Sequence, residues 1–80
     1  MTAIGEASRQ SGVSVETIRY YEREGIVPKP QRAPNNRRLY SARDVGRLRF
    51  LKRSRDLGFP LADAKTLLVL GIVAELPLEA

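Results

Sequence analysis

The chain has 80 residues and contains no cysteine, no histidine and no tryptophan. Without thiols it forms no disulfide and no thiolate metal site, and without imidazole it lacks the usual base of nucleophilic catalysis. No apolar run approaches the roughly 18 residues that span a bilayer, and no signal peptide opens the chain. These absences argue against an enzyme, a cofactor protein or a membrane protein, and favour one small cytoplasmic domain.

Positive charge is concentrated in the middle of the chain. The formal net charge is +5, but residues 29–55 hold ten basic groups against a single acid, while the flanking thirds are slightly acidic. Eleven of the 14 basic residues are arginine, whose planar fork suits phosphates and guanine edges better than lysine does. A purely solvated basic face is the alternative, but so one-sided a patch favours a polyanionic partner.

Two short helices separated by a glycine turn are predicted at the amino end. Thr2 can cap the first helix, and Ser11-Gly12 ends it. Ser14 then caps a second helix over residues 15–24. Its inward positions follow a spacing of three and four residues, at Val15, Ile18 and either Tyr21 or Glu22. This layout is typical of a helix-turn-helix.

A basic hairpin, called the wing, is predicted to follow. Three prolines between residues 28 and 34 forbid a helix there. Asn35-Asn36 suits a hairpin tip because asparagine tolerates positive φ. We therefore expect residues 26–27 to pair with residues 38–40 as a two-stranded wing.

A third helix is predicted over residues 42–57, capped by Ser41 with Asp44 three residues later. Its inward stripe is Val45, Leu48 and Leu51, extended by Leu57. Gly58 ends the helix, Phe59 is expected to pack between the third and fourth helices, and the fourth helix covers residues 61–70. The expected fold is therefore mainly α, a winged helix-turn-helix of four helices with a small two-stranded hairpin. The domain covers residues 1–70, and residues 71–80 form an unassigned apolar tail.

Four segments of the chain, in order and in register, resemble the amino-terminal DNA-binding domain of the MerR family of bacterial regulators. They are Ile4-Gly5-Glu6-Ala7, Gly12-Val13-Ser14 through Ile18-Arg19-Tyr20-Tyr21-Glu22, Arg38-Leu39-Tyr40-Ser41, and Leu57-Gly58-Phe59. The resemblance implies a homodimer that binds a palindrome in promoter DNA and distorts it, which realigns promoter elements for RNA polymerase. It also implies a second wing at the turn around Gly58.

The chain departs from the family pattern at three points. Asn36-Arg37 stands where many members carry Gly-Tyr, which exchanges an aromatic for a charge. We expect no room for the family's long dimerisation helix after the fourth helix, because Gly71, Pro77 and the end of the chain follow, and we expect these 80 residues to lack the effector region. The chain is expected to be either an isolated domain or a naturally short member.

Several residues are predicted to contact DNA. Arg19 is the main candidate on the recognition helix, with an ion pair to Glu16 or Glu22 as the alternative. Tyr20 and Tyr21 are adjacent and cannot both face the core, and Tyr20 is assigned the outer position. The full predicted set is Ser14, Thr17, Arg19, Tyr20, Arg32, Asn36, Arg37, Arg38 and Tyr40.

Two wing assignments stay open at this point. Neighbouring strand residues point to opposite faces, so either Arg37 or Arg38 can brace the helix-turn-helix instead of touching DNA. Arg38 matches the family's most regular wing arginine and ranks first as a contact. Tyr40 suits core packing and a phosphate hydrogen bond equally well, and one tyrosine can do both.

Two other functions also fit the sequence. An excisionase-like architectural protein would use a similar winged fold without an effector domain. A protein-interaction module would present the basic face to an acidic partner and would not discriminate between DNA sequences.

Overall fold

The computed structural model describes residues 1–35 and 37–69. The predicted hairpin-tip residue Asn36, the last predicted helical residue Leu70 and the predicted tail 71–80 lie outside that part. The element order is α1 (Ile4–Ser11), α2 (Val15–Arg23), β1 (Gln31–Arg32), β2 (Arg38–Leu39), α3 (Ala42–Asp56) and α4 (Leu61–Val69). This arrangement confirms the predicted four helices with a two-stranded antiparallel hairpin. Within these residues, no helix is long and apolar enough to cross a membrane.

The chain start differs from the prediction, because Thr2 does not cap α1. Ala3 occupies the N-cap position without a side-chain cap. Thr2 instead lies in extended conformation and exchanges two backbone hydrogen bonds with Tyr40, at 2.9 and 2.7 Å. Because α1 begins at Ile4, its N-cap position is residue 3, and Thr2 lies one residue before it in the extended pairing. It also ties the amino end of the chain to the end of the hairpin.

The turn between α1 and α2 follows the predicted chemistry. Gly12 adopts φ 78°, a left-handed conformation that glycine enters without steric cost. Ser14 caps α2, and its side chain accepts a hydrogen bond from the backbone N–H of Thr17 at 3.2 Å. The sequence left the third inward position open between Tyr21 and Glu22, and both side chains are in fact buried. A carboxylate therefore lies on the inner face of the helix.

The predicted first strand, residues 26–27, is wrong. The backbone N–H groups of Ile26 and Val27 both point to the carbonyl of Tyr21, at 2.8 and 3.4 Å, so these residues close the end of α2. Both are buried in the core. Gly25, at φ 71°, turns the chain back to make this possible. The strand forms later, with Gln31 opposite Leu39 and Arg32 opposite Arg38.

Helix α3 is the central element of the core. Its start is fixed by a capping box: Asp44 N–H donates to the Ser41 hydroxyl at 3.1 Å, and Ser41 N–H donates to the Asp44 carboxylate at 2.9 Å. The helix packs against both α1 and α4. The buried apolar residues are Ala7, Val13, Ile18, Tyr21, Ile26, Val27, Tyr40, Val45, Leu48, Leu51 and Ala64.

Two apolar side chains predicted to be inside are at the surface. Leu57, the expected end of the α3 stripe, is 69% exposed, and Phe59, the expected plug between α3 and α4, is 55% exposed. Leu57 is the C-cap of α3, so the helical spacing no longer governs its direction. The turn continues through Gly58 at φ 92°, with Phe59 N–H bonded to the Ser54 carbonyl. On α4, the small side chain of Ala64 is buried in the core instead.

Candidate nucleic-acid interface

A cleft lies between the recognition helix α2 and the hairpin. The basic residues that line it come from both elements and from the segment that joins them. They are Arg19, Arg23, Lys29, Arg32 and Arg38, with Pro30 and the single carboxylate of Glu22. Five cations and one acid give the cleft a strongly positive charge. A positively charged surface of this kind is expected where a protein binds nucleic acid.

Arg19 is exposed on the outer face of α2. Within residues 1–35 and 37–69 its guanidinium makes no ion pair and no side-chain hydrogen bond, so the predicted alternative of pairing with Glu16 or Glu22 is not adopted. Its position follows from the helix spacing, since the residues at positions 18, 21 and 22 turn inward. The full donor set of Arg19 is available to a ligand.

Of the two adjacent tyrosines, one is exposed and the other is buried, as predicted. Tyr20 is 42% exposed, whereas Tyr21 is 6% exposed and belongs to the core. The guanidinium carbon of Arg23 lies 5.8 Å from the centre of the Tyr20 ring, within the range of a cation–π contact. The outer face of α2 therefore presents a phenol between two arginines.

Ser14 and Thr17 occupy the start of α2. Besides accepting from Thr17 N–H, the Ser14 hydroxyl donates to the Thr17 hydroxyl at 2.8 Å. Both hydroxyls are thus engaged in the cap. Their contact with DNA stays a prediction.

On the hairpin, the two adjacent arginines point in different directions. Arg37 is exposed, and its backbone N–H donates to the Asn35 side chain at 3.1 Å. The Arg38 side chain is about one-third exposed, and its Nη1 lies 3.5 Å from Oε1 of Glu22. Arg38, ranked first from the sequence as a DNA contact, is therefore the arginine that braces the hairpin against α2. Arg32 lies opposite Arg38 and is exposed.

Tyr40 adopts the core position of its two predicted alternatives. It is 3% exposed, and its hydroxyl donates a hydrogen bond to Oε2 of Glu22. Burial, together with the neighbouring Glu22 carboxylate, raises the pKa of the Tyr40 hydroxyl well above its ordinary range. The hydroxyl points inward, so the geometry does not favour the phosphate contact.

Sequence reasoning missed Glu22 as part of the site. The available signal was its place on the inner stripe of α2, four residues after Ile18, where a carboxylate requires a partner. The structure supplies two partners, Arg38 and Tyr40.

Several cations of α3 are used within the protein. Arg47 pairs with Asp44 at 3.1 Å, and Lys52 pairs with Asp56 at 3.2 Å. Arg49 donates to the Gln10 carbonyl at 3.0 Å and so joins α3 to α1. In the part of the chain that the structure describes, no cluster of three potential metal ligands is present.

The helix-turn-helix formed by α1 and α2, followed by the hairpin, defines a winged helix-turn-helix protein. A family model described as "MerR HTH family regulatory protein" matches residues 2–69. The chain belongs to the MerR family.

Named relatives agree with this assignment. The chain is 52% identical over 67 residues to the HTH-type transcriptional regulator HmrR of Rhizobium leguminosarum bv. viciae, which covers 84% of this chain and 51% of the relative. It is 49% identical over 65 residues to the mercuric resistance operon regulatory protein of Bacillus cereus, which covers 81% of this chain and 49% of the relative. The chain thus spans about half the length of the curated relatives it matches.

A solved structure shows the same fold. The lead(II) complex of the transcription regulator PbrR691 from Ralstonia metallidurans CH34 superimposes with a TM-score of 0.79 at 38% identity. The match covers 96% of this chain and 60% of that one.

Proposed function

We propose that this chain binds double-stranded promoter DNA sequence-specifically and acts in transcription regulation. The observation that carries the proposal is Arg19: an exposed arginine with no ion pair or side-chain hydrogen bond among residues 1–35 and 37–69, on the outer face of the second helix of a helix-turn-helix, inside a cleft of five cations. In helix-turn-helix proteins this helix enters the major groove, where arginine can contact guanine O6 and N7.

The hairpin supplies the second point of contact. Arg32 and Arg37 are exposed on it, so a duplex seated on α2 would meet them at its flanking phosphates or minor groove. Together with Ser14, Thr17, Arg19 and Tyr20 they make up the proposed contact surface, and Arg38 lines the cleft beside them. Asn36 is retained as a proposed contact from its place in the sequence.

The regulatory mechanism that we propose is the one that membership of the MerR family implies. We propose that two copies bind one palindrome and distort it, so that RNA polymerase can use poorly spaced promoter elements. The proposed DNA-binding domain is residues 1–70. Metal binding is not proposed for these 80 residues, since soft metals favour thiolates and the chain has no cysteine.

The test is enrichment of bound duplexes from a pool with a randomised centre, using the 80-residue chain. The proposal expects one palindromic sequence to be enriched, and expects the mass of its complex to show two chains per duplex. Absence of any preferred sequence would remove the proposal in favour of a protein-interaction module. If the enriched sequence matches genomic sites that lie outside promoters, that result would favour the architectural, excisionase-like role.

A further inference from the structure

One buried carboxylate joins the recognition helix to the hairpin. The Glu22 side chain is 5% exposed. One of its oxygens accepts from the Tyr40 hydroxyl, and the other lies 3.5 Å from Nη1 of Arg38. Burial of a carboxylate is costly unless it is paired and hydrogen-bonded, and here both conditions are met.

Both partners come from the same stretch of the chain. Arg38 lies in β2, and Tyr40 follows one residue after its end. Residues two apart on an extended strand face the same side, so a single group on α2 can hold both. Arg37, which points away, remains exposed. Tyr40 is further fixed through its backbone pairing with Thr2.

The hairpin is too short to fix its own angle to α2. Its two strands are two residues each and are paired with each other. Short two-stranded ribbons are marginal by themselves and take their orientation from what they pack against. The contacts of Arg38 and Tyr40 with Glu22 are therefore well placed to set the angle between the hairpin and α2.

We propose that Glu22 is a positioning residue for DNA binding: by holding Arg38 and Tyr40 it fixes the hairpin where it and α2 can engage one duplex. This inference rests on the proposed function. Glu22 itself lies below the surface and touches no DNA in this account.

The direction in which DNA affinity changes when Glu22 is replaced separates a positioning role from simple electrostatics. Glu22 is the only acid lining the described cleft, so removing its charge should tighten DNA binding if charge alone matters. A positioning role predicts the opposite. In Glu22→Gln the amide oxygen can still accept from Tyr40, but the partner charge of Arg38 is lost.

The test compares two duplexes, the sequence enriched by the wild-type chain and a scrambled duplex of equal composition. We expect Glu22→Gln to bind the enriched duplex at least about fivefold more weakly and the scrambled duplex no more weakly. Glu24→Gln is the matched control. It removes the same charge from an exposed residue next to α2 whose side chain makes no hydrogen bond or ion pair among the described residues, so it should not weaken binding.

A second variant keeps the test decisive if Glu22→Gln folds poorly. Tyr40→Phe leaves the ring in the core and removes only the buried hydroxyl, and it should weaken binding to the enriched duplex in the same selective way. Circular dichroism melting defines a temperature at which every compared variant is folded. Unchanged or tighter binding by Glu22→Gln would overturn the inference, as would an equal loss on both duplexes. If the wild type does not discriminate, the proposed function fails instead.

Discussion

Replacement of Arg19 by alanine tests the assignment of the recognition helix. The side chain is exposed and unpaired within the described residues, so its removal breaks no hydrogen bond or ion pair there and should change the free energy of unfolding by less than about 0.5 kcal/mol. A lost arginine contact with a base should cost about 1–3 kcal/mol of binding free energy. That corresponds to roughly 5-fold to 150-fold weaker binding to the enriched duplex.

The assay is a fluorescence anisotropy titration of labelled duplex at several salt concentrations. A base contact predicts relaxed preference at one base-pair position in each half-site. A phosphate contact predicts a uniform loss and a salt slope lower by about one. Arg47→Ala is the control, because Arg47 is already paired with Asp44 and lies on α3. Unchanged affinity of a folded Arg19→Ala would refute the assignment, and an equal loss in Arg47→Ala would place α3 in the interface.

Three predictions concern stability. Leu51→Ala should cost about 2–5 kcal/mol in urea unfolding because Leu51 is fully buried, whereas Leu57→Ala, at an exposed site, should cost little; equal losses would contradict the observed packing. Ser41→Ala should lower stability by about 1 kcal/mol because it breaks the capping box, and an unchanged melting curve would count against that box. The raised pKa of Tyr40 means that the folded protein keeps a proton which the unfolded chain releases above about pH 10, so stability should fall as pH rises further. Tyr40→Phe should fall less steeply in the same pH series, and an identical slope would show that Tyr40 is not responsible.

Local signals in the sequence predicted the helices well. Ser14 and Ser41 mark helix starts, Gly12 adopts the left-handed turn expected of it, and Gly58 follows directly after the end of α3. These features depend on a few neighbouring residues, and the chemistry of each can be evaluated without knowing the fold.

The errors have different causes, and one of them is a contact distant along the chain. Thr2 looked like a cap but pairs with Tyr40, and Ile26-Val27 looked like a strand but closes α2. Leu57 continued an apolar spacing that ends with the helix one residue earlier. Residue periodicity specifies neither the pairing of Thr2 nor the residues at which α2 and α3 end.

The sequence predicted the exposure of some candidate side chains and not of others, and the DNA contacts themselves stay predictions. The exposed positions of Arg19 and Tyr20 follow from the helix spacing alone. The inward roles of Arg38 and Tyr40 follow from Glu22, whose burial became evident only when α2 and the hairpin were placed together. The sequence signal for these inward roles is an acidic residue, Glu22, within the apolar stripe of α2.

The most direct test of the central claim is the ratio of affinities for the enriched and scrambled duplexes, measured with the wild-type 80-residue chain as salt is raised. Specific recognition through α2 and the hairpin predicts that both affinities fall steeply while the enriched duplex stays at least about a thousandfold preferred. Equal affinity for the two duplexes at every salt concentration would contradict specific recognition. The result would then be explained by a basic surface that does not discriminate between DNA sequences.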